Sequence, residues 1–275
     1  MIQVVKAVEL RGGLRIPYVE HGDRTGTPVL MLHGYTDSWR SFEPLLRHLP
    51  PGLRAIAPSQ RGHGDAGRPA VGYRPEDFAA DAAGLLDALG IRRAILVGHS
   101  MGSQTALRFA LDHPDRTLGL LLLGGFASLG RSPAVRELWD GAVSGLADPV
   151  DPGFVEEFQR GTMARPVPEA FLRMVVQESL KVPARVWRAA LQGQIGTGPG
   201  PELGRIAAPA LLIWGDRDEI IPSAERASLA ALVPGARVEV HEGSGHAPHW
   251  EEPARVAAAL AAFAAGLKHA PAAAA

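Results

Sequence analysis

The chain contains 275 residues, of which 46% are hydrophobic and 21% charged, and its formal net charge is −1. This length and apolar fraction suit one large α/β domain with room for an inserted subdomain. The nearly balanced charge gives no support for nucleic-acid binding or for attraction to an anionic membrane, and the absence of cysteine excludes disulfides, thiolate metal sites and cysteine nucleophiles.

The amino terminus and the apolar stretches bear on where the protein acts. The first residues lack the basic region and the apolar run that together form a signal peptide. No apolar stretch approaches the roughly 18 residues that a membrane-spanning helix needs. We therefore expect a cytoplasmic protein without a membrane span.

The first part of the chain predicts a hairpin followed by alternating strands and helices. The hairpin is predicted because two alternating segments are joined by Arg-Gly-Gly. Asp37 or Ser38 can cap the first predicted helix. The predicted elements are, in order, the strands Gln3–Leu10, Leu14–Glu20 and Pro28–Leu32, the helix Trp39–Leu49, the strand Leu53–Ala57 and the helix Pro75–Leu89.

The segment Ala94–Gly102 reads Ala-Ile-Leu-Val-Gly-His-Ser-Met-Gly. Ala94–Val97 predicts a strand buried on both faces, and Ser100–Leu111 predicts a helix. The flanking glycines allow strained dihedral angles and a close approach of neighbouring backbone. A strand, a tight corner and a helix around Gly-X-Ser-X-Gly predict a nucleophile elbow that exposes the hydroxyl of Ser100. The alternative is an ordinary turn in which Ser100 caps the helix.

After the next predicted strand, Thr117–Leu123, the pattern becomes helical. Asp-Pro, Pro-Val-Pro and Val-Pro breaks separate the predicted helices, and Gly196–Pro201 is a linker by composition. These helices are Pro133–Leu146, Gly153–Gly161, Glu169–Leu180 and Pro183–Gln192. We therefore expect a helical cap insert over residues 126–204.

The alternation of strands and helices then resumes. The predicted elements are the strand Ala210–Trp214, the helix Ser223–Leu232, the strand Val238–His241 and the helix Pro253–Leu267. We expect residues 1–125 and 205–270 to form the core and residues 271–275 to form a frayed tail.

Strands buried on both faces that alternate with helices indicate an α/β fold with a mostly parallel sheet covered by helices on each side. Functional residues in such sheets lie at the carboxyl ends of the strands. Three motifs occupy such ends, namely His33–Ser38, Gly98–Gly102 and Gly215–Asp218. These motifs are therefore expected to converge on one site.

A serine hydroxyl needs a base to accept its proton before it becomes a useful nucleophile, and histidine is the residue type best suited to that task. His246 lies in a Gly/Ser-rich loop after the last predicted strand, and such a loop can bring an imidazole over the sheet edge. His249 is the nearest alternative. His63 lies in a loop that can approach the pocket and is a candidate for substrate contact.

The imidazole in turn needs an acid that fixes its tautomer and stabilises the imidazolium. Asp218 is the candidate, and Asp216 is the alternative. The oxyanion of the tetrahedral intermediate needs backbone donors. We expect these to be the amide of Met101, at the head of the elbow helix, and the amide of Tyr35, in the loop after the third predicted strand.

Five motifs, in this order, resemble the α/β-hydrolase fold superfamily and cover nearly the whole chain outside the insert. They are His33-Gly34-Tyr35, Arg61-Gly62-His63-Gly64, Gly98-His99-Ser100-Met101-Gly102, Gly215-Asp216-Arg217-Asp218 and Gly245-His246. The resemblance implies the α/β-hydrolase fold, with a mostly parallel eight-stranded sheet flanked by helices and a helical cap inserted after the sixth strand.

The resemblance also implies a role for each candidate residue. It makes Ser100 the nucleophile, Asp218 the acid and His246 the base, with the amides of Tyr35 and Met101 as the oxyanion hole. Haloalkane dehalogenases and epoxide hydrolases of this fold have aspartate at the nucleophile position, so Ser100 argues against both reactions. Ser103 stands where many relatives have glycine, and its small side chain keeps close helix packing possible.

The expected activity is that of a serine hydrolase, carboxylesterase-like, which cleaves a small, mainly apolar ester through an acyl-enzyme. The candidate substrate contacts are Trp39, Phe126 and Trp139, with Met101 as a further one. We expect a small-molecule substrate, no cofactor and no metal. The fold also carries lactonases, carbon–carbon bond hydrolases, acyltransferases and perhydrolases. A slow-turnover ligand-binding receptor is the alternative outside enzymes.

Overall fold

The computed structural model describes residues 3–130, 132–196 and 200–269. Eight strands form one sheet in the order β1-β2-β4-β3-β5-β6-β7-β8. The β1–β2 and β2–β4 pairs are antiparallel, and the remaining pairs are parallel. The strands are β1 (Lys6–Leu10), β2 (Leu14–His21), β3 (Thr27–Leu32), β4 (Leu53–Pro58), β5 (Ala94–His99), β6 (Thr117–Leu123), β7 (Ala210–Gly215) and β8 (Arg237–His241).

Ten α-helices surround the sheet in the described residues. Five of them begin at a proline, whose missing amide is no loss in the first turn and whose fixed φ favours the helix. They are α1 (Glu43–Leu46), α2 (Pro75–Ala88), α3 (Met101–Asp112), α4 (Pro133–Gly141), α5 (Pro152–Arg160), α6 (Glu169–Leu180), α7 (Ala184–Gly196), α8 (Ser223–Leu232), α9 (Pro248–Glu251) and α10 (Pro253–His269). None of these helices is long and apolar enough to cross a membrane.

The hydrophobic core lies on both faces of the sheet, because side chains alternate along each central strand. Leu30 and Leu96 pack with α2 and α3 on one face. Met31 and Val97, one residue further along the same strands, pack with α1 and α10 on the other. This explains why β5 is buried along its whole length and why its residues Ala94–Val97 are all apolar.

The helix predicted over Trp39–Leu49 is wrong as a single element. A 3₁₀ turn over Trp39–Phe42 is followed by the four-residue helix α1. Pro44 has no amide hydrogen with which to continue an α-helix through this segment. The start of the turn is capped by Ser38, whose side chain accepts from the amide of Arg40 at 3.2 Å.

Between β6 and β7 the described residues form α4 to α7 and no strand. Their side chains share a hydrophobic cluster that includes Val155, Leu172 and Trp187 and reaches the core at Tyr35. We propose that residues 126–204, named the cap below, form a unit placed over a core of residues 1–125 and 205–270. The tail expected at 271–275 lies outside the described residues.

Candidate active site

The corner between β5 and α3 holds Ser100 in a strained backbone conformation. Its φ of 50° and ψ of −115° lie in a region that non-glycine residues seldom adopt. A Cβ at Gly98 would lie 2.3 Å from the carbonyl oxygen of Gly102, and a Cβ at Gly102 would lie 2.0 Å from that of Leu32. Both glycines are therefore required for the tight corner predicted by the Gly-X-Ser-X-Gly spacing.

Hydrogen bonds on both sides of Ser100 fix this corner. Its amide donates to the carbonyl of Leu123, the last residue of β6, at 3.0 Å. Its carbonyl accepts from the amide of Ser103 at 2.8 Å and from the Ser103 hydroxyl at 2.5 Å. The hydroxyl of Ser103 thus adds a hydrogen bond to the elbow.

Asp218 and His246 meet at the carboxyl end of the sheet. Oδ2 of Asp218 lies 2.9 Å from Nδ1 of His246, while its Oδ1 accepts from the amides of Ile220 and Ile221 at 2.9 and 3.0 Å. Burial raises the pKa of Asp218, but the charge and hydrogen bond of His246 and the two amides lower it below its ordinary value. The carboxylate is therefore held ionised beside the imidazole.

The loop after β8 places His246 against the end of β6. A Cβ at Gly124 would lie 2.8 Å from Nδ1 of His246, so the absence of a side chain there makes room for the ring. Nε2 of His246 is buried and has no hydrogen-bond partner among the described residues. His246 and Ser100 line the same cavity. The imidazole thus has one nitrogen held by Asp218 and the other available for a proton.

The two alternatives from the sequence lie in other surroundings. His249 is fully buried, and its Nε2 lies 3.1 Å from the hydroxyl of Ser41. It is not among the described residues that line the cavity. Burial lowers the pKa of His249 well below its ordinary value. Asp216 is exposed and accepts from the amide of Gly243 at 2.5 Å. The structure brings His246 to Asp218, and neither alternative makes that contact.

His63 does not reach the cavity where substrate contact was expected. Its ring is buried between His33 and Phe78, at centroid distances of 5.3 and 6.1 Å. Burial lowers the pKa of His63 to about 3 and that of His33 to about 4, so both rings are neutral near pH 7. Nδ1 of His63 donates to the carbonyl of Arg61 at 2.8 Å. Its role in the structure is to fix the loop after β4.

A cavity of about 450 Å³ opens onto Ser100 and His246. Helices α4, α5 and α7 of the cap form much of its wall, which is largely apolar. The apolar wall includes Leu129, Val135, Leu138, Phe154, Phe158, Leu191, Ile220 and Ile221. Three carboxylates, Asp37, Glu157 and Glu219, line it as well, and the described lining residues contain no lysine or arginine.

The three aromatic residues expected to touch substrate lie elsewhere, and none of them is among the described residues that line the cavity. Trp39 packs into the cluster of α1 and α10. Phe126 is fully buried in the hydrophobic cluster of the cap, and Trp139 packs against the same cluster. The pocket wall is instead supplied by neighbours such as Leu138, because each helix turns only one face toward the cavity.

Sequence reasoning missed that the polar side chains of Asp37, His99 and Gln159 line the cavity. Asp37 is buried there and accepts from Gln159 of α5 at 3.3 Å and from the Ser41 hydroxyl at 3.1 Å. His99 is also buried, and its Nε2 donates to the carbonyl of His246 at 3.2 Å. The Asp37–Gln159 and His99–His246 contacts join segments far apart in the chain, so no local pattern identifies them.

The amides expected to bind the oxyanion belong to Met101, which follows Ser100 in the chain, and to Tyr35. Met101 is the first residue of α3, so its amide has no acceptor within that helix. Tyr35 lines the same cavity as Ser100, and its hydroxyl donates to the carbonyl of Trp187 in α7 at 2.6 Å. Their role as an oxyanion hole stays a prediction.

Residues 27–253 match the sequence model of the alpha/beta hydrolase fold family. The chain is 32% identical over 261 residues to 2-hydroxymuconate semialdehyde hydrolase of Pseudomonas sp. (strain CF600), with 88% of each chain covered. It is 29% identical over 257 residues to Lipase 1 of Psychrobacter immobilis, covering 89% of this chain and 78% of that one. The crystal structure of the esterase RhEst1 from Rhodococcus sp. ECU1013 superposes with a TM-score of 0.85 at 27% identity, covering 96% and 99% of the two chains.

Proposed function

Because the chain belongs to the α/β-hydrolase fold family, we propose that it is a serine hydrolase that cleaves a small, mainly apolar carboxylic ester. The observation that carries the proposal is the His246–Asp218 pair, 2.9 Å apart, at a cavity that Ser100 also lines. The free Nε2 of His246 is the group that this chemistry needs beside a hydroxyl.

In the proposed acylation, Oγ of Ser100 attacks the carbonyl carbon of the ester and its proton passes to Nε2 of His246. Asp218 accepts the hydrogen bond from Nδ1–H, which fixes the tautomer and stabilises the imidazolium. The amides of Met101 and Tyr35 would donate to the oxyanion, and the amino-terminal end of α3 favours negative charge there.

The tetrahedral intermediate then collapses. The ester oxygen leaves as an alcohol with the proton from Nε2 of His246, and the acyl group stays on Ser100. A water molecule gives a proton to the same nitrogen and attacks the acyl carbon, which releases the carboxylic acid and restores the hydroxyl of Ser100.

The cavity supports an uncharged, apolar acyl group. Phe154, Phe158 and Leu138 can bury hydrocarbon, whereas the carboxylates of Glu157 and Glu219 repel an anion. Carbon–carbon bond hydrolysis is the second candidate, because the relative from Pseudomonas is a hydrolase of a semialdehyde. The same Ser100, His246 and Asp218 could serve both reactions.

Hydrolysis of 4-nitrophenyl butyrate by the wild type and by Ser100→Ala tests the proposal. Turnover by Ser100→Ala should fall by roughly 10⁴-fold or more with folding retained, because the three groups act as a unit. Ser228→Ala, an exposed serine of α8, is the matched control and should keep full activity. A fluorophosphonate probe should label the wild type and the control but not Ser100→Ala.

Hydrolysis by Ser100→Ala at the wild-type rate would refute the proposal. Tight binding of esters with negligible turnover by the wild type would favour a receptor instead. Cleavage of a vinylogous diketone at rates well above those for every ester tested would favour the carbon–carbon hydrolase.

A further inference from the structure

The cap touches the loop that carries His246. The amide of His246 donates to the carbonyl of Thr162 in the cap at 2.9 Å. Thr162 is buried and follows α5 in the chain. The base is thus hydrogen-bonded through its own backbone to a segment that lies more than eighty residues away in sequence.

One carboxylate joins the same two segments. Oε1 of Glu251 accepts from the amide of Gly245 at 2.9 Å, and Oε2 accepts from the amide of Arg165 at 2.8 Å. Gly245 immediately precedes His246. Arg165 and Thr162 both lie between α5 and α6, in residues 161–168, which are named the cap segment below. The loop that carries His246, residues 242–247, is named the base loop below. Glu251 therefore bridges the base loop and the cap segment with its two oxygens.

The two segments approach so closely that their contact leaves no room for a side chain. A Cβ at Gly245 would lie 2.6 Å from the amide nitrogen of Ala164 and 3.0 Å from Oε1 of Glu251. A glycine at this position is therefore necessary for the contact. Movement of the cap segment would displace the base loop with it.

Arg165 adds a second set of bonds from the cap. Its guanidinium donates to the carbonyls of Glu242 and Gly243 at 2.6 and 3.2 Å and pairs with Glu252 at 3.1 Å. The two carbonyl acceptors belong to the base loop and lie three and two residues before Gly245. The cap segment thus contacts the loop by backbone and by side chain.

Three backbone amides donate to the carboxylate of Glu251, namely those of Gly245, Arg165 and Ala164. These hydrogen bonds lower the pKa of Glu251, but burial raises it more, so the pKa lies above its ordinary value. An ionised carboxylate offers acceptors on both oxygens, whereas the amide of glutamine offers one acceptor and one donor group. A glutamine at this position would present N–H groups to one of the backbone amides that Glu251 now accepts from.

We propose that Glu251 is a positioning residue that holds His246 in register with Ser100 and Asp218 by joining the base loop to the cap. This inference rests on the proposed function, since it assumes that His246 is the base. Glu251 is not among the described residues that line the cavity, so its carboxylate does not touch the reacting atoms. It acts through Gly245 and Arg165.

The test compares Glu251→Gln, His246→Ala and the double variant with 4-nitrophenyl butyrate. We expect Glu251→Gln to lower kcat by about 10- to 100-fold with a much smaller change in KM, because a displacement near 1 Å of a reacting group has that effect. In the His246→Ala background the same substitution should change the residual rate less than twofold, because no base remains to be positioned.

Glu178→Gln is the matched control. Glu178 is a buried glutamate of α6 in the cap and pairs with Lys181 at 2.9 Å. It takes no part in the hydrogen bonds between the cap and the base loop. Its kcat should stay within twofold of the wild type. Where Glu251→Gln does not fold, Arg165→Ala takes its place, because Arg165 is exposed. We expect Arg165→Ala to lower kcat several-fold in the wild-type background and to leave the residual rate unchanged in the His246→Ala background.

The outcomes distinguish failure of the proposed function from failure of the proposed role of Glu251. Full activity of His246→Ala overturns the proposed function itself. Reduced activity of His246→Ala together with an unchanged kcat in the folded Glu251→Gln variant, or in Arg165→Ala where that variant replaces it, overturns this inference alone. Equal losses with and without His246, or a loss confined to KM, would show a general effect on the cap or cavity and would also overturn it.

Discussion

Among the histidines, the surroundings of each ring decide what that ring can do. His33 and His63 are buried, with pKa values lowered to about 4 and about 3, and each has a ring nitrogen bonded to nearby backbone. His246 is buried as well, but Asp218 holds its Nδ1 and its Nε2 has no partner in the described chain. His246 thus differs from His33 and His63 because it has a carboxylate at one ring nitrogen and lines the cavity.

Asp218→Asn should lower kcat by about 10⁴-fold, because asparagine can hold the imidazole in the wrong tautomer. Asp216→Asn is the matched control and should retain most of the activity, since Asp216 is exposed and bonds to the amide of Gly243. Ester hydrolysis by the two purified variants checks this expectation. A larger loss in Asp216→Asn would identify that residue as the acid.

The pKa of Asp218 also predicts a dependence of stability on pH. Its pKa in the folded chain lies below the ordinary 3.8, so the unfolded chain binds the proton at a higher pH than the folded chain. The stabilisation by ionised Asp218 is therefore fully present above about pH 4 and lost as pH falls through the folded pKa. Urea unfolding of wild type and Asp218→Asn between pH 3 and pH 6 should show their difference shrinking at the acid end, and a constant difference would contradict the lowered pKa.

At the scale of elements, the site depends on how closely β3, β5 and the start of α3 approach one another. The backbone of Gly102 at the head of α3 lies against the end of β3, and that of Gly98 lies against Gly102. The strained φ of 50° at Ser100 persists because these contacts and the bond to Leu123 fix the corner. The elbow is therefore a property of three packed elements.

Gly102→Ala should destabilise the protein by about 1–3 kcal/mol, because the new Cβ would lie 2.0 Å from the carbonyl oxygen of Leu32. Gly141→Ala is the matched control: Gly141 ends α4, and a Cβ there would meet nothing within 4 Å. Urea unfolding measures both free energies. Equal stability of the two variants would contradict the close approach of α3 to β3.

At the scale of the whole molecule, the cavity forms where the cap meets the carboxyl end of the sheet. The core supplies Ser100 and His246, and the cap supplies most of the apolar wall, including Phe154 and Phe158. The cap is tied to the core near the base by Thr162 and near α7 by the hydroxyl of Tyr35. Under the proposed function, we therefore expect substrate preference to depend on the cap and the chemistry to depend on the core.

The acidic lining predicts that charge matters for substrate choice. The mono-4-nitrophenyl ester of succinic acid should have a kcat/KM about tenfold below that of 4-nitrophenyl butyrate beyond their intrinsic difference, because Glu157 and Glu219 repel its carboxylate. Added salt should narrow the difference. The double variant Glu157→Gln, Glu219→Gln should narrow the difference in kcat/KM as well. The control Glu156→Gln should not, because Glu156 lies on α5 next to Glu157 but is not among the described residues that line the cavity. A preference for the succinate ester would refute the neutral-substrate proposal.

The sequence by itself determined the order of strands and helices, the α/β-hydrolase fold and the site of the corner at Ser100. The order of elements and the corner follow from local signals: continuous apolar strands, glycines at a tight turn and proline at helix starts. The α/β-hydrolase fold was implied by the resemblance of five motifs to that superfamily. The helix over Trp39–Leu49 was predicted wrongly because Pro44 interrupts it. Resemblance to the family, and not spacing alone, selected His246 over His249.

Only the tertiary structure decided which side chains meet. Asp218 contacts His246, although the two residues are distant in the chain. Asp37 and His99 are buried at the cavity, whereas Trp39 is not among the described residues that form its wall. Local sequence fixes which face of an element is apolar. It does not fix which residues of that face a neighbouring element will cover, because that depends on how strands and helices pack together.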